Sequence, residues 1–223
     1  MTVTLTDQET REAVLAAAKE MLHVGLVEGT AGNLSARLPD GNVVLTPSSL
    51  DYNAMTLDDL VITDIDGNVL RGDKKPTTEK ALHTSVLRLY PEINAVIHSH
   101  AMYATMFAIV QQPIPAVIEE FVAFVGGDVP VAQYRTTGTD ELADEVAKYV
   151  SNRAAALIAN HGLLTVGKTP MDAMKVAILV ERTAKIIWGA RVLGDVVPIP
   201  EEINTKFGGY YIYGRTGKFP GQE

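Results

Sequence analysis

Three histidines and one glutamate carry the most pointed chemistry in this chain. His98 and His100 stand two residues apart at the end of the apolar run Ala95-Val96-Ile97. Side chains two apart on a strand project to the same side, so both imidazoles can face one ion. His161 closes a second apolar run, Ala155 to Asn160. Three histidines with a fourth position left open form the pattern of a catalytic zinc site. His-x-His alone is a weak signal, because paired histidines also serve as polar ends of sheets. It gains weight here because the chain holds five histidines in all and three fall at such strand ends.

Glu79 follows Pro76-Thr77-Thr78, where a threonine ahead of an apolar-periodic run marks a helix start. A carboxylate in a first turn can simply offset the helix dipole. Aimed at a metal-held substrate, it can instead move a proton. His83 lies one turn on, on the same face as Glu79, and reads as packing or an outer partner. His23 reads as an ordinary helix residue. Gly29-Thr30-Ala31-Gly32-Asn33-Leu34-Ser35, Thr46-Pro47-Ser48-Ser49 and Thr136-Thr137-Gly138-Thr139 are turns rich in glycine or hydroxyls. Such turns can cradle a phosphate with backbone N–H groups, or they can be plain connections. A metal that polarises a carbonyl, a carboxylate that moves a proton and turns that hold a phosphate together suit a phosphorylated carbonyl compound.

These residues need elements to hold them. Thr6-Asp7-Gln8-Glu9 is a capping box and opens a helix to about Val27. Strands are predicted over 34–38 and 42–46, turned by Pro39-Asp40-Gly41, and over 60–63 and 69–70, turned by Asp66-Gly67-Asn68. Hairpins of this kind make antiparallel pairs, so a purely parallel sheet does not fit. Helices are predicted over 79–89, 102–110, 140–151 and 171–193, the last capped by Thr169 with Pro170 at its first position. Further strands are predicted over 95–100, 116–118, 129–134, 155–160 and 163–166. A short helix over 201–207 precedes the tyrosine- and glycine-rich tail Tyr210-Tyr211-Ile212-Tyr213-Gly214-Arg215. That tail reads as a packing flap, a disordered end or a phenol delivered to a site.

The 223 residues suffice for one large domain, and no linker or low-complexity segment divides them. The net charge of −8 argues against nucleic acid or an anionic membrane as partner, since either needs a basic face. With no cysteine, a disulfide framework, thiolate ligand or cysteine nucleophile is excluded. The start Met1-Thr2-Val3-Thr4-Leu5 is too polar and short for a signal segment, and no apolar stretch reaches a membrane span. A cytoplasmic protein is the expectation.

In their order, Gly29 to Ser35, Thr46-Pro47-Ser48, Pro76-Thr77-Thr78-Glu79, His98-Ser99-His100 and Asn160-His161-Gly162 resemble the class II aldolase/adducin family. Within it, the L-fuculose-1-phosphate aldolases are nearest. The resemblance implies one three-layer α/β/α domain over 1–223 around a mostly antiparallel sheet. It also implies a homotetramer with active sites between neighbouring subunits. His98, His100 and His161 would bind Zn²⁺, with Mn²⁺ or Co²⁺ as alternatives. Glu79 would be the acid/base carboxylate and a ligand of the metal when no substrate is there. Gly32, Asn33, Ser48, Ser49, Thr77 and Thr78 would form the phosphate pocket. A tail tyrosine, Tyr210 or Tyr213, would reach the adjacent subunit's site and protonate the aldehyde oxygen. The implied reaction is retro-aldol cleavage of a ketose 1-phosphate to dihydroxyacetone phosphate and an aldehyde.

Some positions depart from the family pattern. Thr77-Thr78 stand for Ser-Ser, Ser49 stands where glycine is common, and Glu120 falls where the aldolases place a tyrosine near the subunit boundary. Glu120 keeps a dehydratase or decarboxylase on the same metal scaffold open. A sugar-phosphate epimerase would take a second acid/base group from a late histidine, and none follows His161. A non-catalytic adducin-like interaction module would dispense with the metal ligands, which are all present.

Overall fold

A computed structural model of the chain describes residues 5–222. Helix α1 (Asp7–His23) leads into strands β1 (Asn33–Arg37), β2 (Val43–Leu45), β3 (Val61–Thr63) and β4 (Val69–Arg71). Helix α2 (Lys80–Leu89), strand β5 (Ala95–Ser99), helices α3 (Met102–Ile109) and α4 (Glu119–Val125) and strand β6 (Val131–Ala132) follow. Helix α5 (Asp140–Ala147), strands β7 (Ala155–Ile158) and β8 (Gly162–Gly167), then helices α6 (Pro170–Leu193) and α7 (Glu201–Thr216) complete the order. One eight-stranded sheet runs β4-β3-β2-β1-β5-β8-β7-β6. Six of its seven pairings are antiparallel, and the edge pair β6–β7 is parallel. The expected α/β architecture with a mostly antiparallel sheet is therefore present, with one parallel pair at its edge.

Strand alternation assigns the two faces. In β1 and β5, Asn33 pairs with His98 and Ser35 with Val96, so these four side chains share a face. Ser35 meets His83 of α2 there. On the opposite face Thr165 of β8 donates to the Ala173 carbonyl of α6. Helices α2 and α5 pack together on the first side, while α1 and α3 pack with α6 on the second. β5 lies between β1 and β8, covered on both faces. That is why Ala95, Val96 and Ile97 form an unbroken apolar run and are fully buried.

The differences from the sequence expectation have local causes. Helix α1 stops at His23 because Gly25 takes the left-handed conformation (φ 74°) and the Leu26 N–H reaches the Met21 carbonyl. This is a Schellman-type end. The apolar stretch 116–118 forms no strand. Only Ile114 bridges Val129, and Glu119-Glu120 begin α4 instead, where two carboxylates favour a helix N-terminus. The tail is a sixteen-residue helix rather than a short one with a loose end. Gly208 in it and Gly126 at the end of α4 allow close approach: a Cβ on Gly208 would lie 3.0 Å from the Gly126 carbonyl oxygen, and one on Gly126 2.6 Å from the Tyr211 ring. No helix among the described residues is long and apolar enough to cross a membrane.

Candidate active site

β5 ends at Ser99, with His98 fully buried and His100 exposed just beyond the strand. His161 sits in the three-residue hairpin loop between β7 and β8, where Asn160 takes a left-handed φ of 56°. Asparagine tolerates that region better than most residues. Gly162 cannot carry a side chain, because its Cβ would lie 2.5 Å from the Ser99 carbonyl oxygen. The loop is thereby pressed against the end of β5. The ligand atoms of His98, His100 and His161 lie within 4.8 Å of one another, with ring centroids 4.5–5.2 Å apart.

Glu79 completes the cluster from the start of α2. Its Oε2 is 3.4 Å from His98 Nε2 and its Oε1 3.8 Å from His161 Nε2. Burial, together with the His161 imidazole beside them, holds both His98 and His100 below the ordinary histidine range. They are therefore neutral near pH 7. His98 Nδ1–H donates to the Leu163 carbonyl at 3.2 Å, which leaves a lone pair on Nε2. That Nε2 lies 3.1 Å from His100 Nε2. Glu79 Oε1 is buried with no hydrogen-bond partner. Converging lone pairs beside an unpartnered carboxylate oxygen are a donor set for a divalent cation, and three imidazoles with an oxygen suit zinc well. The residues fit the metal.

Glu79 is also held from behind. The Asn33 amide Nδ2 donates to Glu79 Oε2 at 2.8 Å, and Asn33 Oδ1 faces His83 Nε2. Ser35 Oγ lies 2.7 Å from His83 Nδ1. Sequence reading placed Asn33 in the phosphate pocket, whereas here both ends of its amide engage other side chains of the chain. Ser35 closes the Gly29–Ser35 motif but had no role assigned from the sequence, and Tyr52 carried no sequence signal. The Tyr52 hydroxyl donates to the Gly32 carbonyl at 2.7 Å, and burial pushes its pKa well up. Gly32 has φ 72°, and a Cβ there would meet Val27 at 2.6 Å and the His98 carbonyl at 2.8 Å. Its lack of a side chain lets the turn before β1 lie against β5 at the first histidine.

The two hydroxyl-bearing turns are joined by backbone. Pro47 bridges Pro76, Ser48 N–H donates to the Lys75 carbonyl at 2.9 Å, and Thr77 N–H to the Thr46 carbonyl at 3.2 Å. Ser48, Ser49, Thr77 and Thr78 are thus brought to neighbouring stretches beside Glu79. Thr77 is buried and accepts the Glu79 N–H at 3.2 Å, while Ser49 and Thr78 are exposed. Ser49 has φ 58°, the conformation a glycine at that position would take without strain.

Three residues predicted for the substrate's far end lie elsewhere in the chain. Glu120 is in the first turn of α4 and faces Arg182 of α6 at 3.7 Å. Tyr210 lines a cavity of about 300 Å³ with Glu92, Val166, Gly167 and Arg215, and Tyr213 stacks on Phe219 at 4.6 Å. Gly167 pairs with Ala95, at the other end of β5 from His98. Three residues of strand separate Ala95 from His98 by roughly 10 Å, so α7 packs away from its own chain's histidines.

The family described as Class II Aldolase and Adducin N-terminal domain matches residues 12–188. The chain is 36% identical over 208 residues to 5-deoxy-D-ribulose 1-phosphate aldolase of Bacillus thuringiensis serovar kurstaki, covering 91% of this chain and 97% of that one. It is 35% identical over 197 residues to L-fuculose phosphate aldolase of Escherichia coli, covering 87% and 91%. A solved structure of L-fuculose 1-phosphate aldolase superposes with TM-score 0.87 at 33% identity, covering 93% of this chain and 98% of that one.

Proposed function

The chain belongs to the class II aldolase and adducin family, and on that premise we propose that it cleaves a ketose 1-phosphate to dihydroxyacetone phosphate and an aldehyde. It is a lyase of the class II aldolase type. The observation that carries the specific reading is the Glu79 carboxylate set against three clustered imidazoles at a mouth flanked by hydroxyl-bearing turns. The named relatives support a ketose 1-phosphate of the L-fuculose or 5-deoxyribulose kind. L-Fuculose 1-phosphate is the substrate proposed first.

His98, His100 and His161 hold the divalent cation, with Glu79 beside them. When bound, a zinc ion (or manganese or cobalt) supplies Lewis-acid polarisation of the ketone and stabilises the negative charge formed next to it. The chain's own residues do the remainder. The turns 46–49 and 76–78 grip the phosphate through Ser48, Ser49, Thr77, Thr78 and backbone N–H groups, with Gly32 and Asn33 nearby. This fixes C3 in front of Glu79. As the C3–C4 bond breaks, its electron pair moves into the enediolate and C4 becomes a carbonyl. The hydroxyl proton at C4 leaves, and Glu79 delivers one to C3. Protons lost and gained balance, and the carboxylate is reprotonated from solvent. A phenol of the tail, Tyr210 or Tyr213 from a neighbouring subunit, relays the C4 oxygen proton, passing its own hydroxyl proton to solvent as it accepts, and runs the relay backwards in the synthetic direction. Glu120 from a neighbouring subunit is the proposed contact to the aldehyde end in the same assembly. A homotetramer with sites between subunits suits these roles. Apolar side chains left in solvent on α3 and α6, among them Ile109, Trp188, Val192 and Leu193, support association.

The test is release of dihydroxyacetone phosphate from a panel of ketose 1-phosphates, including L-fuculose, 5-deoxyribulose and L-ribulose 1-phosphates, with and without chelator. Chelator-sensitive release is expected. No release from any of them by metal-loaded protein would overturn the reading.

A further inference from the structure

α2 and β1 present matched spacings to each other. Glu79 and His83 are four apart at the start of a helix, one turn up the same face. Asn33 and Ser35 are two apart on a strand, also on one face. The two pairs form one buried chain, Ser35–His83–Asn33–Glu79. All four residues are at most 6% exposed, so water does not complete their hydrogen bonding.

Counting donors fixes this chain in one arrangement. The Glu79 Oε2 contact needs the NH₂ end of Asn33, since an ionised carboxylate only accepts. Asn33 Oδ1 therefore faces His83 and must accept as well. His83 Nε2 must carry a hydrogen. A neutral imidazole then has its lone pair on Nδ1, and the Ser35 hydroxyl donates to it. The other neutral tautomer would set two acceptors against each other at Asn33. Flipping the amide would only move that clash to Glu79. Full burial keeps His83 neutral, with its pKa lowered to about 3.

We propose that His83 is a positioning residue which, in its Nε2–H tautomer, locks the Asn33 amide and thereby pins Glu79 Oε2, leaving Oε1 as the proton-exchanging oxygen. The inference rests on the aldolase reading of Glu79. Oε1 is the oxygen without a hydrogen-bond partner, so the carboxylate is held on one side and free on the other. Without the lock, the amide can turn its oxygen toward Glu79, and the carboxylate loses its fixed aim at C3. Imidazole at this position is thus needed as a single-hydrogen donor of fixed sense, not as an acid or base.

The test has a spectroscopic arm and a kinetic arm on the zinc-loaded, full-length protein. Nitrogen NMR of the imidazoles should report His83 as the neutral Nε2–H form. The Nδ1–H form there would overturn the proposal. In the kinetic arm, His83→Leu should lower both kcat for cleavage and the rate of deuterium incorporation into dihydroxyacetone phosphate, on the order of 100-fold, as expected for a misaimed group. KM should stay within about threefold, because the phosphate turns are untouched. His83→Gln keeps an N–H toward Asn33 and should recover most of the rate. If His83→Leu does not fold, His83→Met takes its place, since it fills the same space without an N–H toward Asn33. Unchanged exchange in these variants beside an active wild type would overturn the role of His83 alone. A wild type that neither cleaves nor exchanges would overturn the aldolase reading itself.

Discussion

The Asn33 amide donates to Glu79 Oε2 at 2.8 Å across 46 residues of sequence, joining the first residue of β1 to the start of α2. Removing it should harm stability and turnover together. Asn33→Ala strips the donor from Glu79 and the acceptor from His83, leaving buried polar groups unpaired at a cost of about 1–3 kcal/mol. Urea unfolding and steady-state kinetics should both register the change. A variant with wild-type stability and kcat would contradict the assigned network.

Glu79→Gln keeps the size of the side chain and the Asn33 contact through its oxygen but cannot exchange a proton. Turnover should fall by about 10²–10⁴-fold, with metal content unchanged. Near wild-type turnover would remove Glu79 from proton transfer.

Elemental analysis should find about one divalent ion per chain, as a three-histidine site predicts. Chelation should abolish cleavage, and zinc, manganese or cobalt should restore it to different degrees. Metal at a hundred times its Kd should raise stability by about 2.7 kcal/mol. Full activity in metal-free protein would refute the site.

Acid should unfold the metal-free protein through its buried histidines. Burial lowers the His83 pKa to about 3 against an ordinary value of 6.5. The unfolded chain gains this proton below 6.5, and the folded one does not until near 3. The stability is therefore fully present above pH 6.5 and is lost as pH falls toward 3. Between pH 6.5 and 5 the loss from His83 alone is about 2 kcal/mol. His98 and His100, lowered for the same reason, add in the same direction. Denaturation at the two pH values should show a loss smaller by about 2 kcal/mol in His83→Gln. Equal losses in both proteins would count against a neutral buried His83.

Tyr210→Phe and Tyr213→Phe test the tail more cleanly than truncation. Arg215, further along α7, is buried, with Nη2 2.7 Å from Glu92 Oε1 and Nη1 donating to the Val150 carbonyl. Deleting the tail would therefore damage its own subunit. Loss of one phenol hydroxyl should lower kcat on the order of 100-fold in one of the two variants, with assembly by light scattering unchanged. Wild-type rates in both would take the tyrosines out of the mechanism.

Much of the site was legible because its residues stand at ends of elements that sequence patterns mark well. His98 and His100 close an apolar run, Glu79 follows a Thr-Thr helix start, and His161 precedes a glycine. Strand alternation and helix periodicity act over a few residues, so they are written into local sequence. The mixed edge of the sheet, α4 and the length of α7 were not legible in this way. α4 carries an apolar run that fits a strand as well as a helix. α7 runs through three glycines, Gly208, Gly209 and Gly214, that disfavour a helix locally, and Gly208 lies against Gly126 at the end of α4.

The partners of Glu79 show the same division. The chain by itself determined which groups the proposed chemistry draws on: three imidazoles, one carboxylate and a set of hydroxyl-bearing turns, each fixed by residue type and near-neighbour spacing. Only the tertiary structure decided that Asn33 faces Glu79 and His83 rather than open space, and that the tail tyrosines lie at the far end of β5 from their own histidines. Those outcomes depend on the β1–β5 register and on which face of the sheet α2 covers. Such contacts join residues tens of positions apart, and no short-range pattern encodes them.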